Sequence, residues 1–224
     1  MNPVLQVKNL KKIYKVDTVE TPALQGVSLE VHQGEFIALA GPSGSGKSTL
    51  LHLMGGLDKP TSGEVWLGGK RIDGLSRAQL SDLRLWNVGF VFQAYNLIPV
   101  LTALENAAFV LELRGEPREV RESKALGALE TLGMKDFAHR RPNQLSGGQQ
   151  QRVAVARALA ARPKIILADE PTANLDSKTG LALIEHMRTL NREHGVTFVF
   201  STHDPRLLER VDRIVRLEDG QIAA

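Results

Sequence analysis

The octapeptide Gly41-Pro42-Ser43-Gly44-Ser45-Gly46-Lys47-Ser48 decides the reading of this chain. It fits the spacing G-x-x-x-x-G-K-[ST]. It follows a short apolar run, Glu35 to Ala40, long enough for a fully buried strand, and it opens a stretch with helical character, Lys47 to Met54. Strand, glycine-rich loop and helix together are the context this motif requires. Glycines let the backbone curl so that successive N–H groups point at phosphate oxygens. The helix N-terminus adds positive dipole character. This chemistry assigns Gly41, Pro42, Ser43, Gly44, Ser45, Gly46 and Thr49 to a phosphate cradle. Lys47 is expected to reach the β- and γ-phosphates, and the Ser48 hydroxyl to ligate Mg2+. A flexible Gly/Ser turn is the plain alternative, but such a match arises by chance in only about 1% of chains of ordinary composition.

A phosphate loop of this kind needs a carboxylate at the end of another buried strand. Ile165-Ile166-Leu167-Ala168-Asp169-Glu170 supplies one. Asp169 is expected to hold Mg2+, directly or through water, and Glu170 to polarise the attacking water as general base.

Outward from these motifs, the elements fall into an order. Leu5 to Ile13 and Val27 to Val31 read as strands, with Thr21-Pro22 breaking the chain between them and a turn at His32-Gln33-Gly34. Val65-Trp66, Val88 to Phe92, Ile165 to Ala168, Thr197 to Ser201, Val211 to Leu217 and Gln221-Ile222 are further strand-like runs. Helical spacing marks Ala103 to Leu113, Arg118 to Leu132, Gly147 to Ala161 and Ser177 to Asn191, with Pro99, Pro117 and Pro142 as breakers. Alternation of strand and helix implies parallel βαβ units. Residues 94–160 read as a mainly helical sub-domain inserted into an α/β core made of residues 1–93 and 161–224, all within one domain.

Composition excludes whole classes of function. The 224 residues hold no Cys, so a disulfide scaffold, a thiolate metal site and a cysteine nucleophile are ruled out. Aromatic content of 5% argues against base stacking as the main work. A net charge of +3 gives little ground for a polyanion partner, so no nucleic acid is expected. The N-terminus lacks the apolar block of a signal peptide. The most apolar region, Val88 to Leu113, is interrupted by Gln93, Asn96, Pro99, Glu105, Asn106 and Glu112, and is no membrane span. The chain reads as cytoplasmic.

At Leu145-Ser146-Gly147-Gly148-Gln149 the chain resembles the ATP-binding cassette (ABC) ATPases, whose signature this is. Chance matches to five fixed residues occur on the order of once in several thousand chains. The resemblance runs over essentially the whole chain, with the motifs in the family's order. It implies a P-loop NTPase (RecA-like) parallel-sheet core, an N-terminal antiparallel β sub-domain and an inserted helical sub-domain. It also implies ATP and Mg2+ as ligands, and hydrolysis of ATP to ADP and phosphate. By resemblance, Tyr14 matches the aromatic that stacks on adenine, and Gln93 the loop glutamine that senses Mg2+ and the attacking water. Asn174-Leu175-Asp176 matches the loop that crosses a dimer interface, and His203 the switch histidine at the γ-phosphate.

The signature has its own physical logic. Ser146 is a good N-cap, and Gly147 and Gly148 leave backbone N–H groups open to an anion, with Gln149 in the first turn. In the family these groups complete the opposing subunit's site. Each motif occurs once here, so the resemblance implies an ATP-bound homodimer, two chains head to tail around two nucleotides.

The runs Gly55-Gly56-Leu57-Asp58-Lys59-Pro60-Thr61-Ser62-Gly63, Phe92 to Pro99 and Thr102-Ala103-Leu104-Glu105-Asn106, with a longer Tyr14-to-Gly26 connection, are similar to the lipoprotein-release and macrolide-export subgroup. That implies an integral membrane permease docked near residues 93–105, where Tyr95, Leu97, Ile98 and Leu101 are apolar, and a place on the inner face of the cell membrane. Two alternatives share the same sites. One is a cassette regulating cell-wall remodelling through a membrane partner. The other is a soluble cassette acting on DNA or ribosomes, disfavoured by the compact Lys47-to-Leu145 interval without heptads and by the single cassette.

Overall fold

The computed structural model describes residues 3–223. Its strands are Leu5–Val16 (β1), Val19–Val31 (β2), Phe36–Ala40 (β3), Ser62–Leu67 (β4), Lys70–Arg71 (β5), Val88–Val91 (β6), Ile165–Asp169 (β7), Phe198–Ser201 (β8), Arg213–Glu218 (β9) and Gln221–Ile222 (β10). The helices are Lys47–Met54 (α1), Arg77–Asn87 (α2), Ala103–Leu113 (α3), Arg118–Thr131 (α4), Gly147–Ala160 (α5), Ser177–His194 (α6) and Pro205–Leu208 (α7), with 3-10 turns at Lys135–Phe137 and Pro142–Gln144.

Two sheets result. A six-stranded sheet runs β10-β9-β3-β8-β7-β6, parallel except for the β10–β9 hairpin. A four-stranded antiparallel sheet runs β2-β1-β4-β5. Strand alternation explains the layering. Phe36, Ala38, Ile166, Ala168, Phe198 and Phe200 face a core shared with α3, α4, α5 and α6. Their neighbours Ile37, Leu39, Ile165, Leu167 and Val199 face a second core shared with α1 and the antiparallel sheet. A parallel sheet covered on both faces must be apolar at every position, and β3 is buried throughout. This is the architecture expected of a P-loop NTPase core with an antiparallel β sub-domain and a helical insertion.

Three readings of the sequence change. Pro22 does not break a strand: it lies inside β2, opposite Ile13, where the register with β1 shifts. β2 is the edge of its sheet, the place where a strand tolerates a residue without an N–H. The Tyr14-to-Gly26 segment is therefore a hairpin of β1 and β2, with a turn at residues 17–18, and not an open connection. Helix α2 escaped notice because its apolar face is short: Leu80 is its one buried residue, with Leu83 packed partly against the same core. The available signal was the capping box of Ser76 and Gln79 at its start.

Two side chains fasten the helical region. Buried Asn106 accepts from Ile98 N–H and donates to the carbonyls of Ile98, Leu101 and Thr102, ordering the loop before α3. Arg114 donates to the carbonyls of Leu85 and Ala161 and lies 4.7 Å over Trp86, tying α3 to the ends of α2 and α5.

Candidate functional site

The parallel strands end on one side, and their carboxyl ends carry the site. Ala40 leads into the glycine-rich loop, Val91 towards Gln93, Asp169 into Glu170, and Ser201 towards His203. In an open α/β sheet this edge is where ligands bind. A cleft of about 610 Å3 opens there, lined by Gly41 to Gly44, Gly46 to Thr49, Gln93, Glu170 and His203 among others.

The loop wraps tightly against its own fold. Gly46 caps α1 with φ of 99°, and a Cβ there would come within 2.5 Å of the Ala23 carbonyl. At Gly41 a Cβ would come within 2.1 Å of the Leu217 carbonyl. Neither position accepts a side chain. The buried Lys47 ammonium donates to the Gly41 and Pro42 carbonyls at 2.8 and 2.9 Å, inside the loop that surrounds it. Ser45 Oγ is buried without a hydrogen-bond partner. A cationic cradle of backbone N–H groups at a helix N-terminus suits a polyphosphate.

Ser48 Oγ donates to Asp169 Oδ1 at 2.8 Å. The two oxygens form a hard donor pair beside the cradle. Mg2+ typically takes one or two protein oxygens and completes its shell with phosphate and water, so the pair fits that ion. His52 Nε2, one helical turn after Ser48, lies 3.7 Å from Asp169 Oδ2. Sequence reading passed over His52, although its i,i+4 spacing from Ser48 puts both on one face of α1.

Glu170 holds a left-handed backbone, φ 45°, rare for a residue with a Cβ. Its N–H donates to the Ser201 carbonyl at 2.8 Å, and its Oε1 lies 2.8 Å from His203 Nδ1. The structure thus brings Glu170 and His203 together at the cleft. Gln93 joins them, and its carbonyl accepts from Asn174 Nδ2 at 3.0 Å.

Residues 146–149 lie elsewhere. Ser146 caps α5 through a capping box with Gln149, and Gly147 and Gly148 form its first turn. Among the described residues, none of Ser146 to Gln149 lines the 610 Å3 cleft. Ser146→Ala should cost about 1 kcal/mol of stability, read by thermal unfolding, because it removes one cap hydrogen bond. Asp176 caps α6 by accepting from Lys178 and Thr179 N–H, and hydrogen bonds from the Thr179 side chain and these N–H groups lower its pKa. Tyr14 is half-exposed on β1; its hydroxyl donates to Asp58 Oδ2 at 3.2 Å, and the Lys12 ammonium sits 4.8 Å over its ring. Tyr14 is not among the residues lining the phosphate cleft.

Tertiary contacts add residues that no motif announced. Arg157 on α5 donates to the carbonyls of Tyr95 and Asn96, two successive left-handed residues just beyond Gln93. Burial lowers its pKa. Thr172 and Asp204 join the loops after β7 and β8 through a buried hydrogen bond of 2.7 Å.

A phosphate loop after a central parallel strand, a carboxylate at the end of another strand and a hard oxygen pair between them define a P-loop nucleotide-binding protein. Residues 24–173 match the family described as "ABC transporter", and the chain belongs to that family. It is 46% identical to the lipoprotein-releasing system ATP-binding protein LolD 2 of Caulobacter vibrioides, covering 99% of this chain and 97% of that one. It is 44% identical to the macrolide export ATP-binding/permease protein MacB of Rhodopirellula baltica, covering 98% of this chain but 32% of that longer protein. Among solved structures, the dimeric post-hydrolysis state of the cassette MJ0796 bound to ADP and Pi superimposes with a TM-score of 0.92 at 46% identity, covering 98% and 97% of the two chains. MJ0796 is an ABC transporter ATP-binding protein of Methanocaldococcus jannaschii.

Proposed function

We propose that this chain is the ATP-binding and ATP-hydrolysing subunit of a membrane complex of the lipoprotein-release or macrolide-export type, working as a head-to-tail homodimer around two ATP. One observation carries the dimer: the cleft that holds Lys47, Gln93, Glu170 and His203 is not lined by any of the signature residues Ser146 to Gln149, which begin α5. Two phosphate-binding surfaces that cannot meet within a chain meet between two chains under two-fold symmetry.

In this reading Gly41 to Gly46, Lys47 and Thr49 grip the nucleotide phosphates, and Tyr14 takes the adenine. Ser48 and Asp169, with Gln93, hold Mg2+, which when bound supplies charge neutralisation of the phosphates. Glu170 accepts the proton of the attacking water, and His203, at 2.8 Å, orients that carboxylate and reaches the γ-phosphate. Ser146, Gly147, Gly148 and Gln149 close the partner's site from across the interface, with Asp176 beside the crossing.

The membrane partner docks in a second groove of about 500 Å3 between α2, β6 and α3, whose apolar lining includes Leu85, Phe90, Phe92, Phe109 and Leu113. Of residues 93–105, only Asn96 lines it, while Leu97 packs against the helical core. No described helix is long and apolar enough to cross a membrane. Affinity capture from detergent extracts tests this: an integral membrane protein should come down with the chain. Capture of ribosomes or DNA alone would overturn the transport reading in favour of a soluble cassette.

A further inference from the structure

We propose that Thr172 and Asp204 are positioning residues for hydrolysis: their buried hydrogen bond fixes the spacing between the loop carrying Glu170 and the loop carrying His203, and so presents the Glu170 carboxylate. The inference rests on Glu170 acting as the base.

Two rungs join these loops. The outer one, Glu170 to His203, measures 2.8 Å, but the His203 side chain is 73% exposed. A contact so open to water is screened and cannot by itself hold two loops in register. The inner rung is different. Thr172 Oγ1 donates to Asp204 Oδ2 at 2.7 Å, with Thr172 1% and Asp204 7% exposed. It lies two residues beyond Glu170 on one loop and one residue beyond His203 on the other, so the rungs are adjacent.

Asp204 is itself anchored. Its N–H donates to Thr202 Oγ1, Oδ1 accepts from the Arg206 N–H at 2.9 Å and Nε at 2.8 Å, and Oδ2 accepts from a terminal Arg206 nitrogen at 2.6 Å. Burial pushes the Asp204 carboxyl up, but the hydrogen bonds from Arg206 and Thr172 outweigh it and bring it down to about 2. The acceptor is therefore a fixed anion. Gly180 of α6 leaves room for this arrangement: a Cβ there would come within 3.1 Å of the Arg206 guanidinium. The left-handed backbone of Glu170 needs such a clamp, since a residue with a Cβ leaves that conformation unless its surroundings hold it.

Thr172→Val is the clean test, because it removes the hydroxyl while Arg206 still neutralises Asp204. ATP turnover of the full chain should show kcat lowered about 100-fold with KM for ATP unchanged, since a misplaced base spoils chemistry and not binding. Thr172→Ser, which restores the hydroxyl, should restore kcat. Added to Glu170→Gln, Thr172→Val should slow single turnover no further. If Thr172→Val does not fold, Thr172→Ala, which also removes the hydroxyl and leaves the Asp204–Arg206 pair intact, carries the same expectation. Wild-type kcat in Thr172→Val, a parallel loss of ATP affinity, or additivity with Glu170→Gln would overturn the proposal. A Glu170→Gln chain that turned over normally would instead remove the base assignment, and this inference with it.

Discussion

Glu170→Gln should bind ATP as tightly as the parent chain, hydrolyse it about 10²- to 10⁴-fold more slowly, and accumulate as an ATP-bound dimer. The rate estimate is the usual contribution of a positioned general base. Glutamine keeps the size of the side chain and an oxygen for His203, 2.8 Å away in the parent, so the loop geometry survives. What is lost is the basic carboxylate that takes up the proton of water. Binding survives because Glu170 contributes no positive charge to the cradle; the Lys47 ammonium and the loop N–H groups do. The dimer accumulates because the γ-phosphate, once uncleaved, remains part of what joins the two chains. Turnover is read by phosphate release and assembly by light scattering on a sizing column. Normal turnover would take Glu170 out of the base role.

Lys47→Ala should lower nucleotide affinity about 100-fold or more, as expected when charge-assisted contacts worth about 1.5–3 kcal/mol apiece are removed. Lys47 is 8% exposed, and its ammonium already sits inside the ring of loop carbonyls of Gly41 and Pro42. Its placement is therefore preorganised, and a nucleotide does not have to order a free side chain. Removing it leaves those carbonyls facing the incoming anion uncompensated. Equilibrium binding of a fluorescent ATP analogue measures the loss. Unchanged affinity would undermine the phosphate-loop assignment.

The parallel core was legible because its strands are short, apolar and followed by motif residues: β3 before Gly41, β7 before Glu170, β8 before His203. The N-terminal hairpin was less so, because Pro22 reads as a breaker and only the edge position of β2 makes it tolerable. Helix α2 was easy to pass over, because Leu80 is its one buried residue. At the site, local motifs pointed to the loop, the carboxylates and the signature. They could not point to Arg157, Thr172 or Asp204, whose partners lie far along the chain: 61 residues separate Arg157 from Asn96, and 32 separate Thr172 from Asp204. Such residues become visible only when the fold brings strand ends together.

In the proposed head-to-tail dimer, each active site is built from two chains. Mixing a Lys47→Ala chain with a Ser146→Arg chain tests it most directly. Each parent homodimer lacks one half of both sites. In the head-to-tail mixed dimer, the intact phosphate loop of the Ser146→Arg chain faces the intact signature of the Lys47→Ala chain, so one site is whole. The mixture should hydrolyse ATP well above the sum of the separate parents. A mixture no more active than its parents, with mixed dimers demonstrably formed, would contradict it.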